Sequence, residues 1–257
     1  MLRAFVMTLL ADPLTLALAC LAAMIVGMAK GGLSGVGALA TPLLALALPP
    51  AVAAAILLPA IIVPDCVSVW AFRREWDRWI VGWMLPGTVL GIVLATAYAA
   101  MVDERRLLLV LGLITLSFGA YRLWVERGGR IAAASNSPGW VGTLFGVVTG
   151  VTSQIAHAGG PPFQMWVTPR RLPHNIYIGT NAILFAMMNW IKVPGYVILG
   201  TLNRQTLVAA ALITPVSAIS TLITLRLLRR MDSQRFYVVI YFLMVALGTK
   251  LVWDGLI

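Results

Sequence analysis

The chain has 257 residues, 60% of them hydrophobic and only 11% charged, with a mean hydropathy of +0.92. Soluble domains carry about 25% charged residues, and a water-soluble fold of this composition would expose more apolar surface than solubility tolerates. The excess of 19 basic over 9 acidic residues lies at the ends of apolar runs, so it reads as the charge asymmetry of a polytopic helical membrane protein and not as a nucleic-acid footprint. The longest stretch without an apolar run, about 13 residues from Glu126 to Pro138, excludes a separate soluble module.

In chain order, apolar segments are predicted at 13–30, 42–48, 51–71, 79–101 and 104–124. A second set follows at 139–155, 162–167, 175–199, 206–228 and 234–256. Between the sets lies a polar stretch with Gly128, Gly129, Ser135, Asn136, Ser137 and Pro138. The expected organisation is a first transmembrane repeat over 1–126, a linker over 127–138 and a second repeat over 139–257. No cleaved signal peptide is expected, because Asp12 interrupts the first apolar run.

Each set opens on a broken helix. The first helix runs into Gly31, Gly32, Ser34, Gly35 and Gly37, and Thr41-Pro42 then reads as an N-cap with proline at the first helical position. A half-helix follows and stops at Pro49-Pro50. The second set has Ser153, Gln154, His157, Gly159, Gly160 and Pro161, then a half-helix to Thr168-Pro169.

The two sets match in register. An offset of 119 pairs Gly27 with Gly146, Gly31 with Gly150, Pro42 with Pro161 and Pro50 with Pro169. Further on, an offset of 129 pairs Pro86 with Pro215, Asp103 with Asp232, Arg106 with Arg235 and Trp124 with Trp253. Such register indicates duplication. Charge decides the orientation. If the repeats are inverted, 12 basic residues face the cytoplasm: Arg73, Arg74, Arg78, Arg122, Arg127, Arg130, Arg170, Arg171, Arg226, Arg229, Arg230 and Arg235. Five face outward (Arg3, Arg105, Arg106, Arg204 and Lys250), while a parallel arrangement gives 9 against 8. The positive-inside rule favours inversion. The predicted fold is therefore an all-α polytopic membrane protein of two inverted repeats, each a re-entrant broken-helix hairpin followed by three transmembrane helices.

Unwound backbone inside a bilayer is tolerated only when buried in protein or lining a wet cavity. Two breaks at matching positions of inverted repeats point to a binding site near the midplane. Half-helix N-termini at Thr41 and Gly160 would direct free N–H groups and positive dipole ends at an anion. The competing reading is that these glycines and prolines only allow close helix crossing.

These residues resemble a family. Gly27, the run from Gly31 to Gly37 and Pro42-Leu43-Leu44 are similar to the first glycine-rich hairpin of the sulfite exporter TauE/SafE family. Gly146, Gly150 and Gly159-Gly160-Pro161-Pro162 resemble its second hairpin. Gly179-Thr180-Asn181, Asn189-Trp190-Ile191-Lys192-Val193-Pro194-Gly195-Tyr196 and Gly200 resemble the helix that follows. The first hairpin departs from the family's denser glycine run at Ser34 and Val36. The resemblance implies transport of a small anion, such as sulfite, a sulfonate or a related organosulfur compound, across the bacterial inner membrane by a multi-pass protein without a cofactor. The expected partners are that substrate, the lipid bilayer and, as an option, further copies of the chain.

The candidate substrate-binding set is Lys30, Gly31, Gly32, Ser34, Gly35, Gly37, Thr41, Ser153, Gln154, His157, Gly159, Gly160, Asn181, Asn189 and Lys192. Lys30 is either the ligand's counter-charge or the partner of Asp65. Asp65 and His157 are the candidates for proton coupling, against plainer roles as a neutralising partner and as the donor to a free carbonyl. Lys192 either meets the ligand or snorkels outward. Asn181 and Asn189 either donate to a ligand or join helices. Trp76, Trp79, Trp124 and Trp253 read as interface anchors. Two other functions compete. One is a passive anion channel. The other is a rhomboid-like intramembrane protease using Ser34 and His157, suggested by Gly32-Leu33-Ser34-Gly35. Scattered histidines and cysteines give no metal-ligand spacing, and no Gly-x₄-Gly-Lys-Ser/Thr motif supplies an ATP site.

Overall fold

A computed structural model describes residues 12–31, 33, 35–129, 135–227 and 233–257. Its described residues form ten α-helices in chain order: α1 (Pro13–Lys30), α2 (Ala40–Leu44), α3 (Pro50–Phe72), α4 (Arg78–Met101), α5 (Glu104–Glu126), α6 (Gly139–Ala156), α7 (Gly160–Val167), α8 (His174–Ile198), α9 (Arg204–Leu227) and α10 (Ser233–Leu256). The chain is all-helical, and seven of these helices are long and apolar enough to cross a membrane: α1, α3, α4, α5, α8, α9 and α10. Helix α6 matches α1 in length but holds Gly142, Gly146, Gly150, Thr149, Thr152 and Gln154, which lower its hydropathy.

The helix ends follow local chemistry. The Asp12 carboxylate accepts from the backbone of Leu14 and Thr15. Asp77 does the same for Trp79 and Ile80, Asp103 for Arg106, and Asn203 for Gln205 and Thr206. Helices α3 and α8 both begin after a proline with almost the same backbone angles, Pro49 (φ −50°, ψ 138°) and Pro173 (φ −50°, ψ 141°). These prolines lie 124 residues apart, so the structural counterpart of Pro49 is Pro173; Pro169, which the sequence register pairs with Pro50, falls in a 3₁₀ turn after α7.

Packing follows a swap rule. Helix α1 packs on α9, and α6 packs on α4; α3 meets α9, and α8 meets α4; α3 meets α8, and α5 meets α10. Glycine makes the crossings close. A Cβ on Gly87 or Gly91 of α4 would run into the Thr143 or Val147 carbonyl of α6, and one on Gly146 or Gly150 would run into the Met84 or Thr88 carbonyl. At the α1–α9 crossing, Gly27 and Gly31 press on Ser217, Ser220, Thr221 and Thr224. Small residues let helix axes approach where lipid supplies no hydrophobic drive.

Both short helices are enclosed. Leu39, Ala40 and Leu44 around α2 join a core with Ala22, Ala23, Ala53, Ile56 and Leu57. Phe163, Trp166 and Val167 of α7 pack with Ile80, Met84 and Leu184. The end of α7 is pinned by Arg170, whose guanidinium lies 4.3 Å from the Trp166 ring and 4.7 Å from the Trp79 ring. Trp79 also stacks on Trp166 at 5.7 Å, so it does more than mark the interface. Outward faces carry Val93, Leu94, Leu222, Ile223, Phe242 and Leu243, the pattern expected where lipid replaces water.

Candidate functional site

The two breaks differ in build. In the first, the chain leaves α1 at Lys30, takes Gly35 to φ +93°, and winds through a 3₁₀ turn over Val36–Leu39 into α2. The half-helix therefore starts upstream of the expected N-cap. Thr41 lies inside it, fully buried, with its Oγ1 bonded to no other described group. The physical reason is Gly35, which adopts a left-handed conformation at no steric cost and begins the turn early. Helix α2 ends at Leu44, and turns rather than helix continue to Leu48.

The second break closes at His157, a non-glycine residue held at φ +51°, ψ +28°. Its N–H reaches the Ser153 carbonyl and the Ala158 N–H reaches that of Thr152, a helix ending that usually takes glycine. Helix α7 starts at Gly160 with Pro161 and Pro162 next. Prolines have no N–H, and the Phe163 N–H already bonds the Gly159 carbonyl at 3.3 Å. The expected row of free donors at this terminus thus reduces to the backbone around Gly160.

Between the breaks lies a cavity of about 90 Å³. Liquid water takes about 30 Å³ per molecule, so the space suits a few waters or one small oxyanion. Of the predicted residues, Lys30, Gly35 and Gly37 line it from the first half. Ser153, His157, Gly160, Asn181, Asn189 and Lys192 line it from the second. Gly31 does not; it faces Thr221 and Thr224 of α9. Thr41 is enclosed in the core, and Gly159 packs against Thr149 and Ser153. Gln154 turns away, its Nε2 bonding Thr96 Oγ1 at 3.1 Å. Gly32 and Ser34 lie outside the described residues. Sequence reasoning missed Phe185 and Gln164 on the wall. Gln164 had a signal: it is the sole polar side chain of α7.

Two lysines border the cavity. Lys30 Nζ donates to Asp65 Oδ1 at 2.5 Å, and Asn189 Nδ2 donates to Asp65 Oδ2 at 2.6 Å. Both carboxylate oxygens are engaged in a side chain only 2% exposed. Lys30 remains 17% exposed on the cavity side, with its ammonium 5.9 Å from the Phe185 ring centre. Asp65 and Asn189 each stand 16 residues past their capping prolines, so this bond joins counterpart positions of α3 and α8.

Lys192 does not snorkel. It is fully buried and reaches His157 Nδ1 at 2.8 Å, Ser153 Oγ at 3.1 Å and the Ser153 carbonyl at 3.3 Å. On its other side, His157 Nε2 lies 2.9 Å from the Ala54 carbonyl. A carbonyl only accepts, so Nε2 carries the hydrogen and Nδ1 accepts from Lys192. His157 thus takes the expected carbonyl-satisfying role and also anchors a lysine. Its Nδ1 is occupied, so it is not poised as the base of a serine dyad. The cavity wall, among the described residues, holds two lysines and no carboxylate, with Asp65 paired to Lys30 just behind it.

A family model named Sulfite exporter TauE/SafE matches residues 19–251. The chain belongs to the sulfite exporter TauE/SafE family. Membership agrees with the all-helical, multi-pass architecture and makes the chain one of a family of membrane transporters of sulfur anions, not of enzymes. Searches against curated proteins and against solved structures give no match. TauE/SafE membership covers both breaks and every residue of the cavity wall.

Proposed function

We propose that the chain is a secondary transporter of a small sulfur oxyanion, sulfite or a sulfonate, across the bacterial inner membrane. The observation that carries this reading is the cavity itself. It lies where both broken hairpins converge, with Lys30 and Lys192 on its wall and the amide of Asn181 beside them. An anion there gains from charges screened less than at a surface, and the absence of a side chain at Gly160 lets it approach the backbone. A site shared by two repeats suits alternating access by rocking one against the other. The swap rule in the packing fits halves related by a two-fold axis, and the arginine census supports opposite orientation of the two. Asp65 and His157 are each tied to a lysine, so a proton would act by loosening one of these ties.

The test is flux in liposomes. Purified protein is challenged with sulfite, sulfate, taurine, sulfoacetate and acetate. Saturable uptake of a sulfur oxyanion, with accelerated exchange when the same anion is preloaded, is expected. Flux that rises linearly with concentration would indicate a channel, and no flux of any sulfur anion would discard the reading. With the membrane potential clamped, an imposed pH gradient drives uptake only if proton and anion are coupled.

A further inference from the structure

We propose that Gln164 is a ligand-contacting residue that selects for oxyanions, and that Arg122, outside the cavity, is the residue that positions it. This rests on the cavity being the anion site. Gln164 sits one turn after Gly160 in α7 and borders the cavity. Arg122 Nη1 donates to its Oε1 at 3.1 Å. A guanidinium has donors and no acceptor, so the amide oxygen must face Arg122. The orientation of the amide is thereby fixed, and the Nε2 hydrogens are left for the cavity.

Arg122 is itself held. Its Nη2 donates to the Tyr241 hydroxyl at 2.7 Å, its guanidinium lies 4.9 Å from the Tyr241 ring centre, and Glu126 stands 3.7 Å away. The anchor thus ties α5 and α10 to α7. It also borders the first break, since a Cβ on Gly35 would lie 3.9 Å from the Tyr241 hydroxyl. Anchoring matters because a free glutamine can turn over. Turned over, it presents a carbonyl to the ligand, which repels an anion and accepts from an ammonium or hydroxyl. Held by Arg122, the side chain offers only donors, and no ordering cost falls on binding. The ligand class that fits this end of the cavity carries an unprotonated oxygen there.

The experiment is a double-mutant cycle on the full chain, with radiolabelled sulfite as the probe. Gln164→Ala should raise KM about tenfold or more, the size of losing one hydrogen bond to a charged group. Gln164→Glu keeps a partner for Arg122 but replaces the donor with a carboxylate, so sulfite flux should fall further while the unfolding temperature stays near wild type. Arg122→Gln should raise KM with little change in maximal rate. In the Gln164→Ala background, Arg122→Gln should add nothing. The same ratios can be read from sulfite-induced shifts in unfolding temperature in detergent. An unchanged KM for Gln164→Ala, or an Arg122→Gln effect that persists without Gln164, overturns the proposal while leaving the transport function intact. A wild-type chain that neither moves nor binds sulfite or any sulfonate overturns the function and this proposal together.

Discussion

Lys30, Asp65 and Asn189 show how an ionisable group is made tolerable inside a bilayer. Each carboxylate oxygen of Asp65 has its own donor, and the charge is neutralised by Lys30. Removing one partner of a buried pair costs about 3–5 kcal/mol because the other charge is stranded, whereas removing both together costs far less. Lys30→Met and Asp65→Asn should each lower stability, by about 3 kcal/mol at most for Asp65→Asn, since Lys30 borders the cavity and keeps some solvation. The double variant should recover most of the loss, as read from unfolding midpoints in detergent. It also separates two roles. If the double variant keeps wild-type affinity for sulfite, Lys30 serves the fold; if affinity falls tenfold or more, Lys30 serves the ligand. His157 is legible only in part from the sequence. Its type suggests a donor to a free carbonyl, but its left-handed backbone and its bond to Lys192 come from the way α6, α3 and α8 meet.

Among the helices, the glycines divide into two kinds that look alike in the sequence. Gly27, Gly31, Gly146 and Gly150 repeat at one offset because they occupy counterpart crossings, α1 on α9 and α6 on α4. Gly160 is different: nothing lies within 4 Å of a Cβ built there, and the residue faces the cavity. The expected contrast follows. Gly150→Ala should destabilise the chain by about 1–3 kcal/mol through overpacking, measured as a lower unfolding temperature. Gly160→Ala should leave that temperature unchanged and lower sulfite flux, because the new methyl group occupies ligand space. Equal destabilisation by both would remove Gly160 from the binding site. Prolines inside helices are accommodated by partners. Pro64 has no N–H to offer the Ala60 carbonyl, and Ser217 Oγ of α9 bonds that carbonyl at 2.8 Å instead.

For the molecule as a whole, the proposed inversion of the repeats makes a claim about sides. The loop between α3 and α4 and the segment joining α9 to α10 occupy different places in the repeat, yet both are rich in arginine. In a variant with Cys20 and Cys66 replaced, single cysteines at Glu75 and Gln234 should be protected together from an impermeant thiol reagent added outside cells. Labelling of one and not the other would replace inversion with a parallel arrangement. The swap rule in helix packing fits two halves related by a two-fold axis. It leaves the direction of that axis to the charges, because packing is the same whichever way the bilayer lies.

Membrane character, the helix segments and the two breaks were determined by the sequence alone, because apolar length, capping residues and Gly/Pro interruptions act over a few residues. Family membership was legible for the same reason, carried by short local motifs. The partners of the buried charges were not. Lys30 and Asp65 are 35 residues apart, Asp65 and Asn189 are 124 apart, and Arg122 meets Gln164 across the boundary between halves. Which lysine is buried, which glycine faces the cavity and which faces a helix, and where the first half-helix begins depend on which surfaces meet. No local pattern encodes those meetings. They are set when helices distant in the sequence close on each other, within a half as for Lys30 with Asp65 and Lys192 with His157, and across halves as for Asp65 with Asn189.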